Sequence, residues 1–238
     1  MDFITTDIEE SEAVIVDDRC SKMQNEGTVN PPSADRGIVV LDFETSGMSP
    51  ERGDRAIEIG AVRLLGDRIV ERFQSLMNPG RPINSFIENL TGISNAMLKE
   101  APLNSIVMER FASFIGGTSL VAHNASFDRR FLDAELALIG QRRQQDMACS
   151  LLAARRLYPE APNHKLQTLV HYHDLPTTGT FHRALADAEM TAHLWCKMGY
   201  DIASRYGCGL VPFTVLKGLT GIRKNQVDTY LQQQVANI

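Results

Sequence analysis

Five residues have the types and the spacing to do chemistry together, namely Asp42, Glu44, Asp128, His182 and Asp187. Carboxylate oxygens are the ligands that hard divalent cations such as Mg²⁺ prefer, and histidine changes its charge near neutral pH. Four acids with one histidine are therefore suited to a site where two metal ions and a general base cleave a phosphodiester bond. Such a site requires three distant segments of the chain to bring these side chains together.

Asp42 and Glu44 follow an apolar, β-branched run over residues 37–41 that is typical of a buried strand. Side chains alternate faces along a strand, so both acids project from the same side. Two buried carboxylates without partners either acquire a raised pKa or recruit a cation, which favours a metal site. Alternatively, the two acids cap the strand end or form ion pairs with arginines.

The second segment repeats this layout, with a short apolar strand over residues 119–122, a polar turn and then Asp128. An amphipathic helical pattern continues over residues 129–139, which places Asp128 at the start of a helix. An acid in that position also stabilises a helix through the helix dipole, without any catalytic role. This segment is therefore informative only together with the other two.

The third segment has His182 five residues before Asp187, at the start of a helical pattern over residues 184–205. Asp187 is expected in the opening turns of that helix, while His182 on the preceding loop could reach over the same pocket. Free imidazole titrates at about pH 6.5, so His182 could take a proton from the attacking water at neutral pH. A histidine at a helix start without acidic neighbours would instead indicate a helix cap.

In this order and spacing, the segments resemble the three motifs of the DEDDh family, the DnaQ-like 3′–5′ exonucleases that include proofreading subunits of bacterial replicative polymerases. The matching residues are Leu41-Asp42-Phe43-Glu44-Thr45-Ser46-Gly47, His123-Asn124-Ala125-Ser126-Phe127-Asp128 and His182-Arg183-Ala184-Leu185-Ala186-Asp187. The resemblance covers about residues 37–200, and a histidine at position 182 is typical of the histidine branch of the family.

Carried over by position, the resemblance implies two divalent metal ions, Mg²⁺ or Mn²⁺. Asp42, Glu44 and Asp187 would hold one ion, and Asp42 would share the second with Asp128. His182 would be the general base.

The resemblance also implies which residues bind the substrate. Met48, just after the glycine of the first motif, would wedge near the terminal bases, although it could equally fill a gap in the core. The backbone from Phe43 to Thr45 would lie along the 3′-terminal nucleotide. His123 and Asn124 would shape the pocket.

The fold implied by the family is α/β and ribonuclease H-like, with a mixed central sheet flanked by helices. Local patterns agree with it, because residues 55–65 and 68–76 read as a hairpin about a Gly66-Asp67 turn. Helical spacing of apolar residues follows at 107–115, 129–139, 148–158, 165–172 and 184–205. We expect one exonuclease domain over residues 37–205.

Residues 1–36 have a different composition, with nine acidic against three basic side chains, and read as an acidic, disordered arm. The formal net charge of the whole chain is −5, so the remainder is nearly neutral. A protein that wraps duplex DNA usually carries a basic stripe, which this chain lacks. The balance favours weak binding of single-stranded nucleic acid 3′ ends, with processivity supplied by a partner.

The last segment, residues 206–238, begins at a glycine-rich break and continues as a short helical pattern. It is predicted either to bind a partner, such as a DNA polymerase subunit, or to pack on the domain. The four scattered cysteines are typical of reduced thiols. With no signal-peptide pattern and no stretch long enough to span a bilayer, a cytoplasmic location without membrane contact is expected.

Together these features predict an enzyme that removes nucleotides from the 3′ end of single-stranded DNA, in proofreading or repair. Two alternatives stay open from the sequence alone. One is an RNA 3′-end-trimming exonuclease with the same chemistry, and the other is a non-catalytic adaptor that binds nucleic-acid ends.

Overall fold

The computed structural model describes residues 37–177 and 182–236. The predicted acidic arm, residues 1–36, lies outside the described residues. The strands are β1 Ile38–Thr45, β2 Ala56–Leu65, β3 Arg68–Leu76, β4 Ser119–Ala122 and β5 Met147–Cys149. The helices are α1 Ser85–Thr91, α2 Asn95–Glu100, α3 Asn104–Ile115, α4 Ala125–Leu138, α5 Ser150–Leu157, α6 Leu166–Tyr172, α7 Ala184–Tyr206, α8 Phe213–Leu219 and α9 Val227–Val235.

The five strands form one mixed sheet in the order β3-β2-β1-β4-β5. β1 pairs antiparallel with β2 and β2 with β3, whereas β4 lies parallel to β1 and β5 parallel to β4. The β2–β3 connection is the predicted hairpin, and Gly66 in its turn has a φ of 64°. Parallel neighbours require crossovers, which α1 to α3 and α4 provide. The predicted fold class, a mixed sheet flanked by helices, is confirmed.

Alternation along the strands divides the core between the two faces of the sheet. Val40, Val62 and Val121 belong to one buried cluster with residues of α5 to α9. Val39 and Leu41 belong to the other, with residues of α3 and α4. Both faces of the central strands are therefore covered, which explains why β1 reads as a continuous apolar run.

A short strand takes the place of the first residues of one predicted helix. The pattern over residues 148–158 predicted a helix, but the chain forms β5 up to Cys149, and α5 begins only at Ser150. A three-residue strand is too short to show any periodicity. It forms because the edge of β4 offers a parallel partner, with Val121 opposite Ala148.

The described part of the C-terminal segment packs on the domain through α8 and α9. Val215, Leu219 and Leu231 are buried in the same cluster as α7. Polar contacts support the packing, since Arg156 Nε donates to the Ile222 carbonyl at 2.6 Å and Lys217 Nζ lies 2.7 Å from Asp146 Oδ1. A boundary at residue 205 and a partner-binding role for the tail both stay predictions. Among the described helices, none combines the length and the apolarity needed to cross a membrane.

Two leucines of the C-terminal segment test this packing. Leu219 is fully buried, whereas Leu210 is 72% exposed. We expect Leu219→Ala to lower the free energy of unfolding by about 2–5 kcal/mol, because it removes buried methyl groups and leaves a cavity. Leu210→Ala should change it by less than about 0.5 kcal/mol. Urea unfolding of both variants measures this, and equal small effects would contradict the packing.

Candidate active site

The site is built around the end of β1. Asp42 pairs with Gly60 of β2 and Glu44 pairs with Glu58, so these four residues share one face of the sheet. The regular pairing is interrupted between Glu44 and Thr45, where the strand ends. The side chains of both predicted acids therefore project from the face of the sheet that α7 covers.

Gly60 allows α7 to begin directly against the sheet. A Cβ atom at this position would lie 2.0 Å from the backbone nitrogen of Leu185 and 2.2 Å from the carbonyl carbon of Ala184. Such distances are far inside van der Waals contact, so only glycine allows this approach. The first turn of α7, which carries Asp187, is thereby placed over the end of β1.

Asp128 reaches the same place from the other side of the sheet. It lies in the first turn of α4, after Asn124, whose φ of 67° turns the chain from β4 into the helix. Its Oδ1 accepts a hydrogen bond from the Phe43 backbone N–H at 3.2 Å. This bond joins the second motif to the first, between the two acids of β1.

His182 completes the cluster. Suitable ligand atoms of Glu44, His182 and Asp187 all lie within 4.8 Å of one another. The backbone N–H of His182 donates to Asp187 Oδ2 at 3.1 Å. Asp187 Oδ1 is buried and has no hydrogen-bond partner in the described structure. The described structure therefore brings the residues of the first and third motifs together as predicted.

Burial raises the pKa values of these carboxyl groups, and the charges of neighbouring acids raise those of Asp42 and Glu44 further. Burial, followed by the charges of Asp128, Asp187 and Glu44, raises the pKa of Asp42 well above its usual value. Burial and then the charge of Asp187 raise the pKa of Glu44 to about 8. Burial likewise raises the pKa of Asp128 to about 7 and that of Asp187 to about 6. A divalent cation would stabilise the ionised form of such a compact group of acids, because its positive charge offsets their repulsion.

The donor set therefore fits a divalent metal ion. It consists of carboxylate oxygens with one histidine, and it includes a buried oxygen, Asp187 Oδ1, that no other group among residues 37–177 and 182–236 satisfies. Hard cations such as Mg²⁺ and Mn²⁺ take such oxygen ligands.

The predicted substrate-binding residues lie around this cluster. Met48 is 68% exposed, so it does not fill the core. Its loop is fixed, because Arg130 Nη2 donates to the Met48 carbonyl at 3.0 Å. Phe43 is buried against Phe111, which leaves only its backbone for a substrate. The Thr45 hydroxyl donates to the Gly47 carbonyl at 2.6 Å and is nearly buried.

His123 and Asn124 form the turn between β4 and α4. Both ring nitrogens of His123 are engaged, one with Ser150 Oγ at 2.9 Å and the other with the His164 carbonyl at 3.0 Å. Burial lowers the pKa of His123 to about 4, so the ring is neutral at pH 7. His123 thus holds neighbouring segments in place, whereas Asn124 is exposed. Direct contact of these five residues with substrate stays a prediction.

Two buried glutamates near the cluster were not predicted as site residues. Glu58 is fully buried and accepts hydrogen bonds from Arg183, and Glu135 is 2% exposed and accepts them from Arg55. Glu58 thereby connects β2 to the start of α7, and Glu135 connects α4 to the start of β2. The signal was present for Glu58, since it is the one acid within the otherwise apolar run of residues 56–62.

A comparison with protein-family models identifies the family of this chain. The model described as Exonuclease (RNase_T) matches residues 39–195, which include all three motifs. The chain belongs to this exonuclease family. The predicted DnaQ-like type and the enzyme class, a 3′–5′ exonuclease, are confirmed.

Members of the family with similar sequences include PolC-type DNA polymerases III. The exonuclease is 41% identical over 169 residues to the protein from Bacillus subtilis, covering 70% of this chain and 12% of that protein. It is 40% identical over 161 residues to the protein from Caldanaerobacter subterraneus, covering 68% of this chain and 11% of that one. The chain thus spans about an eighth or less of the length of these relatives.

Solved structures of exonucleases share the fold. Exonuclease X, in complex with 5′-overhanging duplex DNA, has a TM-score of 0.59 at 27% identity, covering 77% of this chain and 99% of that one. The nuclease domain of 3′hExo, a DEDDh family member bound to rAMP, has a TM-score of 0.59 at 21% identity. That likeness covers 69% of this chain and 92% of the other, and it concerns the fold alone.

Gly60→Ala tests the close approach of α7 to the sheet. We expect it to lower the free energy of unfolding by about 1–3 kcal/mol or more, because a methyl group must displace the start of α7. Gly199, in the same helix, has open space at its Cβ position, so Gly199→Ala should stabilise the protein by up to about 1 kcal/mol. Urea unfolding measures the stability of both variants, and Mn²⁺ titration measures their metal affinity. A Gly60→Ala variant with normal stability and metal affinity would contradict the packing argument.

The raised carboxyl pKa values make the stability of the metal-free protein depend on pH. Glu44, Asp128 and Asp187 have pKa values of about 8, 7 and 6 in the folded state. Unfolded carboxyl groups titrate at about 4, so the folded protein binds more protons between pH 4 and 8. The contribution of these groups to stability is therefore complete below about pH 4 and is lost as the pH rises to about 8.

Asp42→Asn removes one charge from this cluster. In the presence of a chelator we expect it to stabilise the protein at pH 8, by on the order of 1–2 kcal/mol, since one unit of pKa corresponds to about 1.4 kcal/mol. The gain should be smaller at pH 5, where the neighbouring carboxyl groups hold protons. Thermal unfolding at both pH values measures it, with Asp133→Asn as an exposed control on α4. Equal gains in stability at the two pH values would contradict the raised pKa values of the neighbouring carboxyl groups.

Proposed function

We propose that this exonuclease hydrolyses single-stranded DNA from its 3′ end, with two divalent metal ions as cofactors and His182 as general base. The observation that carries the proposal is the convergence of Glu44, His182 and Asp187 within 4.8 Å at the end of β1. Asp42 and Asp128 belong to the same group, since the charge of Asp128 contributes to the raised pKa of both Asp42 and Glu44, and the charge of Glu44 contributes to that of Asp42.

Asp42, Glu44 and Asp187 would hold one ion, Mg²⁺ or Mn²⁺, and Asp42 and Asp128 would hold the second. Bound divalent ions supply positive charge at the scissile phosphate and lower the pKa of water. The chain contributes a fixed frame, because Asp128 is held by the Phe43 N–H and Asp187 by the His182 N–H. These bonds orient one oxygen of each carboxylate, and in Asp187 the buried Oδ1 stays available for a ligand.

His182 would take the proton from the attacking water. Its backbone N–H is engaged by Asp187, while its side chain is exposed at the rim of the cluster. An exposed imidazole can accept a proton from a reacting group and pass it to solvent, as a general base does. The four carboxylates, when occupied by cations, cannot do this, which assigns the base to the histidine.

Exposed Met48 is the candidate wedge against the terminal bases, with the backbone of Phe43 to Thr45 along the 3′-terminal nucleotide. Its rigid loop supports this role, since Ser49 N–H donates to Asp54 Oδ2 at 2.9 Å and Arg130 holds the Met48 carbonyl. A wedge must resist displacement when a base pair is pushed against it. Asn124 and His123 would form the wall behind the nucleotide.

DNA is the preferred substrate in this proposal because the similar sequences are parts of PolC-type DNA polymerases and because Exonuclease X binds DNA in its solved complex. The chain matches only 11–12% of those two polymerases, so an association with a DNA polymerase subunit is part of the proposal. Proofreading is the role that such an association would serve.

Hydrolysis of a 3′-single-stranded oligonucleotide tests the function directly. With Mg²⁺ or Mn²⁺ we expect release of nucleoside monophosphates from the 3′ end and no release in the presence of a chelator. His182→Ala should lower kcat by about 10²–10⁴-fold, the usual contribution of a general base. Asp42→Asn should lower activity at least as much, whereas Asp133→Asn should stay within about twofold of wild type.

Competition between DNA and RNA oligonucleotides of equal sequence decides the substrate class. Preferential degradation of RNA would replace DNA by RNA as the substrate. A folded wild-type protein that binds Mn²⁺ and single strands yet degrades neither would instead indicate the non-catalytic adaptor. Normal activity of Asp42→Asn would refute the site itself.

A further inference from the structure

Glu58 has almost all of its hydrogen-bonding capacity engaged at one place. Its carboxylate accepts from Arg183 Nε at 3.2 Å and Nη2 at 2.8 Å, from the Ala184 N–H at 3.1 Å and from Gln74 Nε2 at 2.9 Å. A carboxylate has about four acceptor positions, so little remains for a metal ion. Glu58 is therefore a structural acceptor inside the acidic cluster and not a further ligand.

This glutamate determines where α7 begins. The N-cap residue of α7 is Arg183, which makes no side-chain capping bond of its own. The first N–H groups of a helix need acceptors, and Glu58 of β2 supplies one to Ala184 from 126 positions away. The start of the helix is thus fixed by the sheet and not by its own sequence.

His182 lies between two fixed points. Its own N–H is held by Asp187 Oδ2, and the next side chain, Arg183, is held by Glu58. Its φ is 66°, a left-handed conformation that costs a residue other than glycine roughly 1–2 kcal/mol. Such a conformation persists only where the surroundings enforce it. The two contacts provide that enforcement on either side of His182.

We propose that Glu58 and Arg183 are a positioning pair for His182. The pair sets the backbone of residues 182–184 and so the direction in which the imidazole faces Glu44 and Asp187. The inference rests on the proposed role of His182 as general base. Loss of the pair should lower turnover while leaving substrate binding nearly unchanged, because Glu58 is fully buried and the Arg183 guanidinium is engaged by it.

A second ion pair on the same helix provides a matched control. Arg72 Nε of β3 lies 2.6 Å from Glu189 Oε1 of α7, and the Glu189 side chain is only 9% exposed. Both pairs join an arginine to a buried glutamate between the sheet and α7. Glu189 is two positions after Asp187, so it faces another side of the helix. Losing this pair should affect stability but not the geometry of His182.

The experiment compares kcat and KM of the 238-residue chain on a 3′-single-stranded DNA oligonucleotide with Mn²⁺. Arg183→Ala and Glu58→Gln should lower kcat by about 10–100-fold, the range expected when a reacting group is misplaced by about an ångström, with KM within about threefold. Arg183→Lys should recover part of the loss, because an ammonium keeps the charge but not the two-pronged contact. Arg72→Ala should keep kcat within about twofold.

The proposal is overturned if Arg72→Ala lowers kcat as much as Arg183→Ala, if Arg183→Ala changes KM alone, or if it changes neither. A second measurement does not depend on activity. In NMR spectra of the chain, the backbone amide and imidazole signals of His182 should shift in Arg183→Ala and stay in place in Arg72→Ala. Unshifted signals in Arg183→Ala would refute the pair. Shifted signals with an inactive wild-type protein would refute the catalytic role of His182 but keep the positioning.

Discussion

The burial of four acidic side chains at the end of β1 is the constraint on which the rest of the molecule depends. Asp42, Glu44, Asp128 and Asp187 all have raised pKa values because burial opposes their ionisation, and the charges of neighbouring site acids raise the pKa of Asp42 and Glu44 further. A folded chain can hold such a group only where rigid elements prevent it from spreading apart. The site thus has a cost in stability that the packing of both faces of the sheet must offset.

Strand β2 carries the contacts that meet this requirement. Gly60 lets α7 approach the sheet, and Glu58 receives the first N–H of that helix. At the start of the same strand, the Ala56 N–H and the Arg55 guanidinium both donate to Glu135 of α4. The helices that carry Asp187 and Asp128 are therefore both fastened to a strand that contributes no proposed metal ligand itself.

Local patterns predicted much of the fold. The hairpin of β2 and β3, strand β4 and the long helix α7 all have clear periodicity, and the structure has them with bounds shifted by a few residues at most. β5 was missed because three residues carry no period, and its formation depends on the exposed edge of β4. The packing of α8 and α9 was left open for a similar reason. An amphipathic helix shows that it has an apolar face but not which surface covers that face.

The sequence by itself determined the five residues Asp42, Glu44, Asp128, His182 and Asp187 and the family to which they point, because their spacing and the apolar runs before them are local properties of the chain. Only the tertiary structure decided the contacts of Glu58, Arg183 and His123. Glu58 and Arg183 are 125 positions apart. The ring of His123 forms its hydrogen bonds with Ser150 and with the carbonyl of His164, which are also distant in the sequence. Such contacts follow from how strands and helices are stacked, and that arrangement is set by burial across the whole domain and not by any one segment.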